Sequence, residues 1–287
     1  MHVDLILVAA SALVGLLLGI TGVGAGALMT PMLVLLFGVA PSAAISADLL
    51  ATLVMRPVGA AVHWRRGTIR RDIVGPLSLG ALPAAFLGTF VMHVMGTSGA
   101  AEMNLKRVLG GALVLGAAAM TARQLHVVPV WRERSKRTGL TIAVGAIGGF
   151  MVGLTSVGAG SLVMVLLVVL YPTLGTSELI GTDLAQSIPL ALSASVGTLL
   201  FAHVDWNLTL AVVLGGVPAI FVGSLVATRA TSPLLRHLMI GLVGLSGLKY
   251  LGLSAGVVGL AAVASLLIYA VTTLNRRRAR SFETARQ

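Results

Sequence analysis

Gly15-Leu-Leu-Leu-Gly19-Ile-Thr21-Gly22-Val-Gly24-Ala-Gly26-Ala-Leu28 returns 134 residues later as Gly149-Phe-Met-Val-Gly153-Leu-Thr155-Ser156-Val-Gly158-Ala-Gly160-Ser-Leu162, with eight of fourteen positions identical. The match continues at an offset of 135, from Asp48-Leu49 to Asp183-Leu184 and from Gly80-x-x-Pro83-x-x-x-x-Gly88 to Gly215-x-x-Pro218-x-x-x-x-Gly223. A spaced match sustained through separate segments is an internal duplication. Both glycine motifs lie in apolar runs that are too long for one crossing, 5–37 and 139–171. A continuous helix over the first would be about 50 Å, against a hydrocarbon core of roughly 30 Å. Each run must tilt, break or fold back, and the glycines mark the place.

Seven further apolar runs, at 43–62, 73–95, 105–121, 178–201, 208–228, 234–251 and 256–273, are separated by short polar joints. The 287 residues are 57% hydrophobic and only 10% charged, where a soluble domain carries roughly 25% charged residues. That composition excludes soluble enzyme folds and makes the chain a polytopic membrane protein. The first 20 residues lack a basic region and an A-x-A cleavage site, and so read as a retained membrane segment. With no cysteine, disulfides, thiolate metal sites and Cys nucleophiles are excluded together.

The balance of 20 Lys+Arg against 9 Asp+Glu gives a net charge of +11. No nucleic-acid-binding motif or aromatic interleaving accompanies the basic runs, so nucleic acid is not an expected partner and the charge reads as topology. Arginine and lysine gather at Arg65–Arg71, Arg123–Arg137, Arg229–Arg236 and Arg276–Arg286. If each broken run crosses twice, as a hairpin of two short helices, all four clusters face the cytoplasm. Each copy then has five passes, an odd number, and the second is inverted. The expected fold is therefore all-α and multi-pass in the cytoplasmic (inner) membrane, with two inverted repeats built on Gly-broken hairpins and one extra C-terminal helix. Its divisions are a first repeat at 1–121, a basic cytoplasmic linker at 122–138, a second repeat at 139–251, and an extra helix with a basic cytoplasmic tail at 252–287. Paired, Gly-interrupted segments in inverted repeats are the architecture of secondary transporters, with the site near the midplane.

Unwound backbone within a membrane needs partners in the protein or in a water-filled cavity, and a helix that starts just beyond it aims free N–H groups into that space. Thr21, Gly22, Gly24 and Gly26 in one copy, and Thr155, Ser156, Gly158 and Gly160 in the other, are thus candidate anion-binding residues. The competing reading is that the glycines only permit close helix packing. Arg56 is the basic residue placed well inside a membrane run, where its cost presumes a function; Pro57 follows it and predicts a kink. Asp48, Thr52 and Arg56 share one helix face. Asp48 is about 12 Å from Arg56 along the axis, too far to pair with it directly. Gln186 and Ser187 stand one turn beyond Asp183. Asp48 and Asp183, equivalent in the two copies, are candidates for coupling or for capping their helices. His63 and His203, at corresponding helix ends, are candidates for a proton relay, and His93, His126 and His237 read as end residues. No histidine spacing suits a metal site. Gly22-x-Gly24-x-x-Ala27 is a weak dinucleotide match without its βαβ setting, no Walker lysine follows, and Ser161 with His203 makes only a weak dyad.

These residues resemble the sulfite exporter TauE/SafE family of membrane permeases. The resemblance rests on Gly19-Ile-Thr-Gly22-Val-Gly24-Ala-Gly26 leading to Pro31, on Pro41-x-x-Ala44, on His63-Trp-Arg-Arg-Gly67-Thr-Ile69, and on the second copy from Gly149, and it covers about residues 5–250. The family's glycine run is altered here at Ala25, and Ser156 stands where the first copy has Gly22. The resemblance implies transport of sulfite, sulfonates or related small oxyanions without ATP hydrolysis. No cofactor or enzymatic activity is expected. The expected partners are the anion, membrane lipid, a coupling H+ or Na+, and a second copy in a homodimer. An anion-selective channel and, from another class, a membrane enzyme are the alternatives.

Overall fold

The computed structural model describes residues 4–21, 25–65, 67–95, 99–124, 138–157, 162–171, 173–227, 233–254 and 256–260. The elements run α1 Leu5–Thr21, a 3-10 turn Ala25–Ala27, α2 Met29–Leu36, α3 Pro41–Arg65, α4 Arg71–Val94, α5 Gly99–Gln124, α6 Thr138–Thr155, α7 Leu162–Leu170, α8 Thr176–Phe201, α9 Trp206–Ala227 and α10 Pro233–Tyr250. Among the described residues all regular structure is helical, and six helices, α3–α6, α8 and α9, are long and apolar enough to cross a membrane. Lengths of 17, 8, 25, 24 and 26 residues in α1–α5 are followed by 18, 9, 26, 22 and 18 in α6–α10, so the helix order repeats with the sequence.

Both long runs break where the glycines stand, and both first arms end on the duplicated threonine, Thr21 and Thr155. The return arms are shorter than a crossing. At ~1.5 Å per residue α2 and α7 reach only about 12 and 14 Å, so the expected pair of crossing helices becomes one long arm and one half-length arm. Helix α2 stops where Phe37 leads into Gly38, whose φ of 66° is easily adopted only without a Cβ.

The two halves pack through each other. A Cβ at Gly15 would lie 2.7 Å from the Gly216 carbonyl, and one at Gly19 would meet Ile220, Gly223 and Ser224, so α1 lies along α9 in the same direction. In the other copy Gly145, Gly149 and Gly153 stack on Leu77, Ala81 and Ala85, which sets α6 along α4 in the same direction. Small residues allow this backbone approach, and in lipid it is a main source of helix association. Helices α3 and α8 run in opposite directions, since the Ser195 hydroxyl donates to the Leu49 carbonyl at one end and a Cβ at Gly181 would meet Thr68 at the other.

Polarity is reversed relative to a soluble globule. Thr30, Asp48, Arg56, Asp183 and Gln186 are buried, while Leu79, Leu87, Leu115, Leu200, Leu214 and Phe221 are exposed. An outer surface of that kind suits lipid and not water. The expected basic linker falls largely on 125–137, outside the described residues. Of the extra helix, 256–260 are helical; the rest of it and the basic tail lie outside the described residues.

Candidate functional site

Two buried polar clusters lie along the seam between the halves. In the first, Asp48 of α3 takes the hydroxyls of Ser156 at 2.6 Å and Thr30 at 3.1 Å on the same oxygen, Oδ2. Thr30 belongs to the half-length arm α2, and Ser156 to the break after α6. Ser156 has a φ of 59°, the left-handed conformation that side chains disfavour. Its carbonyl is covered by Gly26, where a Cβ would collide with it. The two breaks therefore touch at Gly26 and Ser156. Asp48 Oδ1 and the Thr52 hydroxyl, one turn further on the same face, are buried without a hydrogen-bond partner among the described residues.

The second cluster lies two turns along α3. Arg56 Nη1 is 3.9 Å from Asp183 Oδ2 of α8, with side chains 6% and 1% exposed. Gln186 donates from Nε2 to Asp183 Oδ1 at 3.4 Å, and its Oε1 is buried without a partner. The ion pair is beyond hydrogen-bond length, and among the described residues no hydrogen bond reaches the guanidinium. A guanidinium offers five N–H donors in a planar fork that matches an oxyanion. Buried without such bonds, it is costly unless something completes it.

Beside this pair lies a cavity of about 730 Å³ lined by Pro57, Ala60, Ala61, Trp64 and Arg65 of α3, by Ile69, Arg71, Val74 and Gly75, and by Ala185, Ile188 and Pro189 of α8. Pro57 adjoins Arg56, yet neither Arg56 nor Asp183 forms its wall. Its mouth is basic: Arg71 stacks over the Trp64 ring at 4.7 Å. Arg70 bridges from the α3–α4 joint to Glu178 of α8 at 3.8 Å.

Asp48 and Asp183 lie in the third turns of α3 and α8, not at their starts, so neither caps a helix. Arg56 has an acidic neighbour, supplied by the opposite half. Thr155 turns its hydroxyl onto its own helix, to the Met151 carbonyl at 2.7 Å, and accepts the Val157 N–H at 3.2 Å. His63 Nδ1 is 3.0 Å from the Thr68 hydroxyl, near the α3–α4 joint, and His203 is exposed beyond the far end of α8. Gly22, Gly24, Gly158, Gly160 and His126 lie outside the described residues, as does the side chain of Thr21. Thr30 was missed, although a threonine four residues past the last glycine of a break, in an apolar helix, was a legible signal.

The family described as Sulfite exporter TauE/SafE matches residues 7–250. A probable membrane transporter protein, YjnA, of Bacillus subtilis is 34% identical over 247 residues, 82% of this chain and 95% of its own length. A probable membrane transporter protein of Xylella fastidiosa is 27% identical over 249 residues, 84% of this chain and 90% of that protein. No solved structure matches the chain. The family match spans both halves and the seam with the Asp48 and Arg56 clusters, and the chain belongs to the TauE/SafE family of membrane transporters.

Proposed function

We propose that the protein is a secondary transporter that carries a small sulfur-containing oxyanion, sulfite or an organosulfonate, across the cytoplasmic membrane. The reading rests on one observation: a buried guanidinium with no hydrogen bond among the described residues, facing an aspartate of the opposite half at 3.9 Å. An oxyanion with three acceptor oxygens would complete Arg56 and draw it from Asp183. Gln186 and the glycine breaks supply the further donors, and the cavity past Pro57 is the approach.

The packing directions favour inverted repeats. Helices α3 and α8 oppose one another, α1 follows α9, and α6 follows α4. With short joints reversing the chain between α3 and α4 and between α8 and α9, α1 and α6 run in opposite senses. Alternating access then consists of one half rocking against the other about the breaks. The test is uptake and counterflow of radiolabelled sulfite and methanesulfonate in proteoliposomes. Saturable flux in the intact protein and background flux in Arg56→Ala supports the reading. Unsaturable conductance would make it a channel, and flux that survives Arg56→Ala would remove Arg56 from the site.

A further inference from the structure

Among the described residues the charged side chains buried in the seam are Asp48, Arg56 and Asp183. Arg56 is matched by Asp183. Asp48 has no cation within ion-pair distance among the described residues, so among these three buried charges the negative ones outnumber the positive, and an anion entering the seam would add to that imbalance. Bringing uncompensated charge into a low-dielectric interior is the costliest step available to such a protein. A cation must accompany the anion, and the unmatched carboxylate is its seat.

The burial favours a proton. Asp48 and Thr30 are 0% exposed, and at Gly26 even a Cβ would strike the Ser156 carbonyl. A metal ion needs a shell of several oxygens, whereas a proton needs one oxygen atom, and Asp48 Oδ1 is buried and without a hydrogen bond among the described residues. One of the two carboxylate oxygens is already prepared for it. Oδ2 holds both hydroxyl bonds, while Oδ1 is buried and unpartnered, and the likewise unpartnered Thr52 hydroxyl stands one turn away on the same helix face.

We propose that Asp48 is the seat of a coupling proton and that its charge state latches the two halves together. This rests on the transport reading above. When ionised, Asp48 holds Ser156 of the second half and Thr30 of the return arm α2 by charge-assisted bonds. A proton taken up on Oδ1 turns that oxygen into a donor toward Thr52 and reduces the pull on both hydroxyls, which frees the Gly26–Ser156 contact to part. The proton leaves Oδ1 for the opposite side once the anion has been released. The charged groups on elements packed against α3 are few. Asp183 and Glu178 lie on α8; α5 brings Glu102, Lys106 and Arg107, of which Glu102 takes the Ser42 hydroxyl at the far end. Helices α2, α6 and α9 bring none.

The test uses full-length protein in nanodiscs. Backbone hydrogen exchange over 152–157 is followed in acid and in alkaline buffer, alongside flux in proteoliposomes under a pH gradient or a sodium gradient. Relative to the intrinsic exchange rate at each pH, which itself rises steeply from acid to alkali, protection at the break of the intact protein should be about tenfold lower or more in acid. Asp48→Asn, a neutral isostere, should show the low protection in both buffers and lose the response of flux to the pH gradient. Ser156→Gly, which removes one hydroxyl of the latch but keeps the carboxylate, should also show low protection in both buffers. Protection at the break that is independent of pH in the intact protein would overturn the proposal, as would sodium-driven flux that ignores the pH gradient. Absence of flux for every anion would refute the transport reading, while the exchange data would still decide the latch.

Discussion

Arg56 pairs with Asp183 of the opposite half at 3.9 Å, and not with Asp48, the equivalent aspartate two turns away on its own helix. The opposed directions of α3 and α8 cause this. When duplicated helices pack antiparallel, a residue downstream of the aspartate in one copy comes level with the aspartate of the other. One charged contact thus joins two copies of the same segment.

Breaking that contact should cost more than replacing it. Arg56→Ala removes the cation beside the buried Asp183 carboxylate, and loss of one member of a buried pair typically costs about 3–5 kcal/mol. Replacing both, as Arg56→Met with Asp183→Leu, should recover most of that stability while abolishing transport. Thermal unfolding in detergent measures the first effect and proteoliposome flux the second. A double variant no more stable than Arg56→Ala would show that the pair does not act as a unit.

At Ser156 two demands compete. Its hydroxyl bonds Asp48 at 2.6 Å, while its φ of 59° would suit glycine better. Ser156→Ala loses the bond and keeps the strain, whereas Ser156→Gly, the residue of the first copy, loses the bond and relieves roughly 1–2 kcal/mol of strain. Unfolding midpoints should rank intact protein first, Ser156→Gly second and Ser156→Ala last. Equal midpoints for the two variants would mean that the backbone there carries no strain.

Much of the fold was legible because lipid leaves few alternatives: apolar runs of bilayer length must be helices, and the duplicated glycines located both breaks. The length of the return arms was not legible, since the sequence through Leu36 and Leu170 stays apolar after the break and hydropathy cannot distinguish a half helix from a full one. Arg56, Asp48 and Asp183 stood out as charges in apolar surroundings. Their partnerships did not, because a contact between copies depends on helix direction and register, and spacing along one helix argues only about that helix. The glycines served both readings offered for them. Gly15, Gly19, Gly149 and Gly153 are packing residues, while Gly26 sits at the meeting of the breaks.

The packing role divides the glycines into two classes that mutation should separate. At Gly153 a Cβ would collide with the Ala85 backbone, and at Gly80 with the Ile142 carbonyl, whereas at Gly111 and Gly75 nothing lies within 4 Å. Gly153→Ala and Gly80→Ala should each destabilise by about 1–3 kcal/mol through overpacking. Gly111→Ala, in the interior of α5, should stabilise by up to about 1 kcal/mol, because alanine is the better helix former. Midpoints in detergent decide, and a tolerated Gly153→Ala would argue against close α4–α6 contact.

Orientation in the membrane can be decided with single cysteines, since the chain has none of its own. The exposed joint at Arg71 lies beside the start of α8, where Arg70 reaches Glu178, while Asn207 is exposed at the opposite end, just past the joint between α8 and α9. Arginines concentrate at the first of these ends, and cytoplasmic loops hold an excess of them. Asn207→Cys should therefore react with a membrane-impermeant maleimide in intact cells, and Arg71→Cys only after the membrane is opened. The reverse pattern would place the cavity mouth with Arg65 and Arg71 outside the cell, so that anions would be gathered from the exterior.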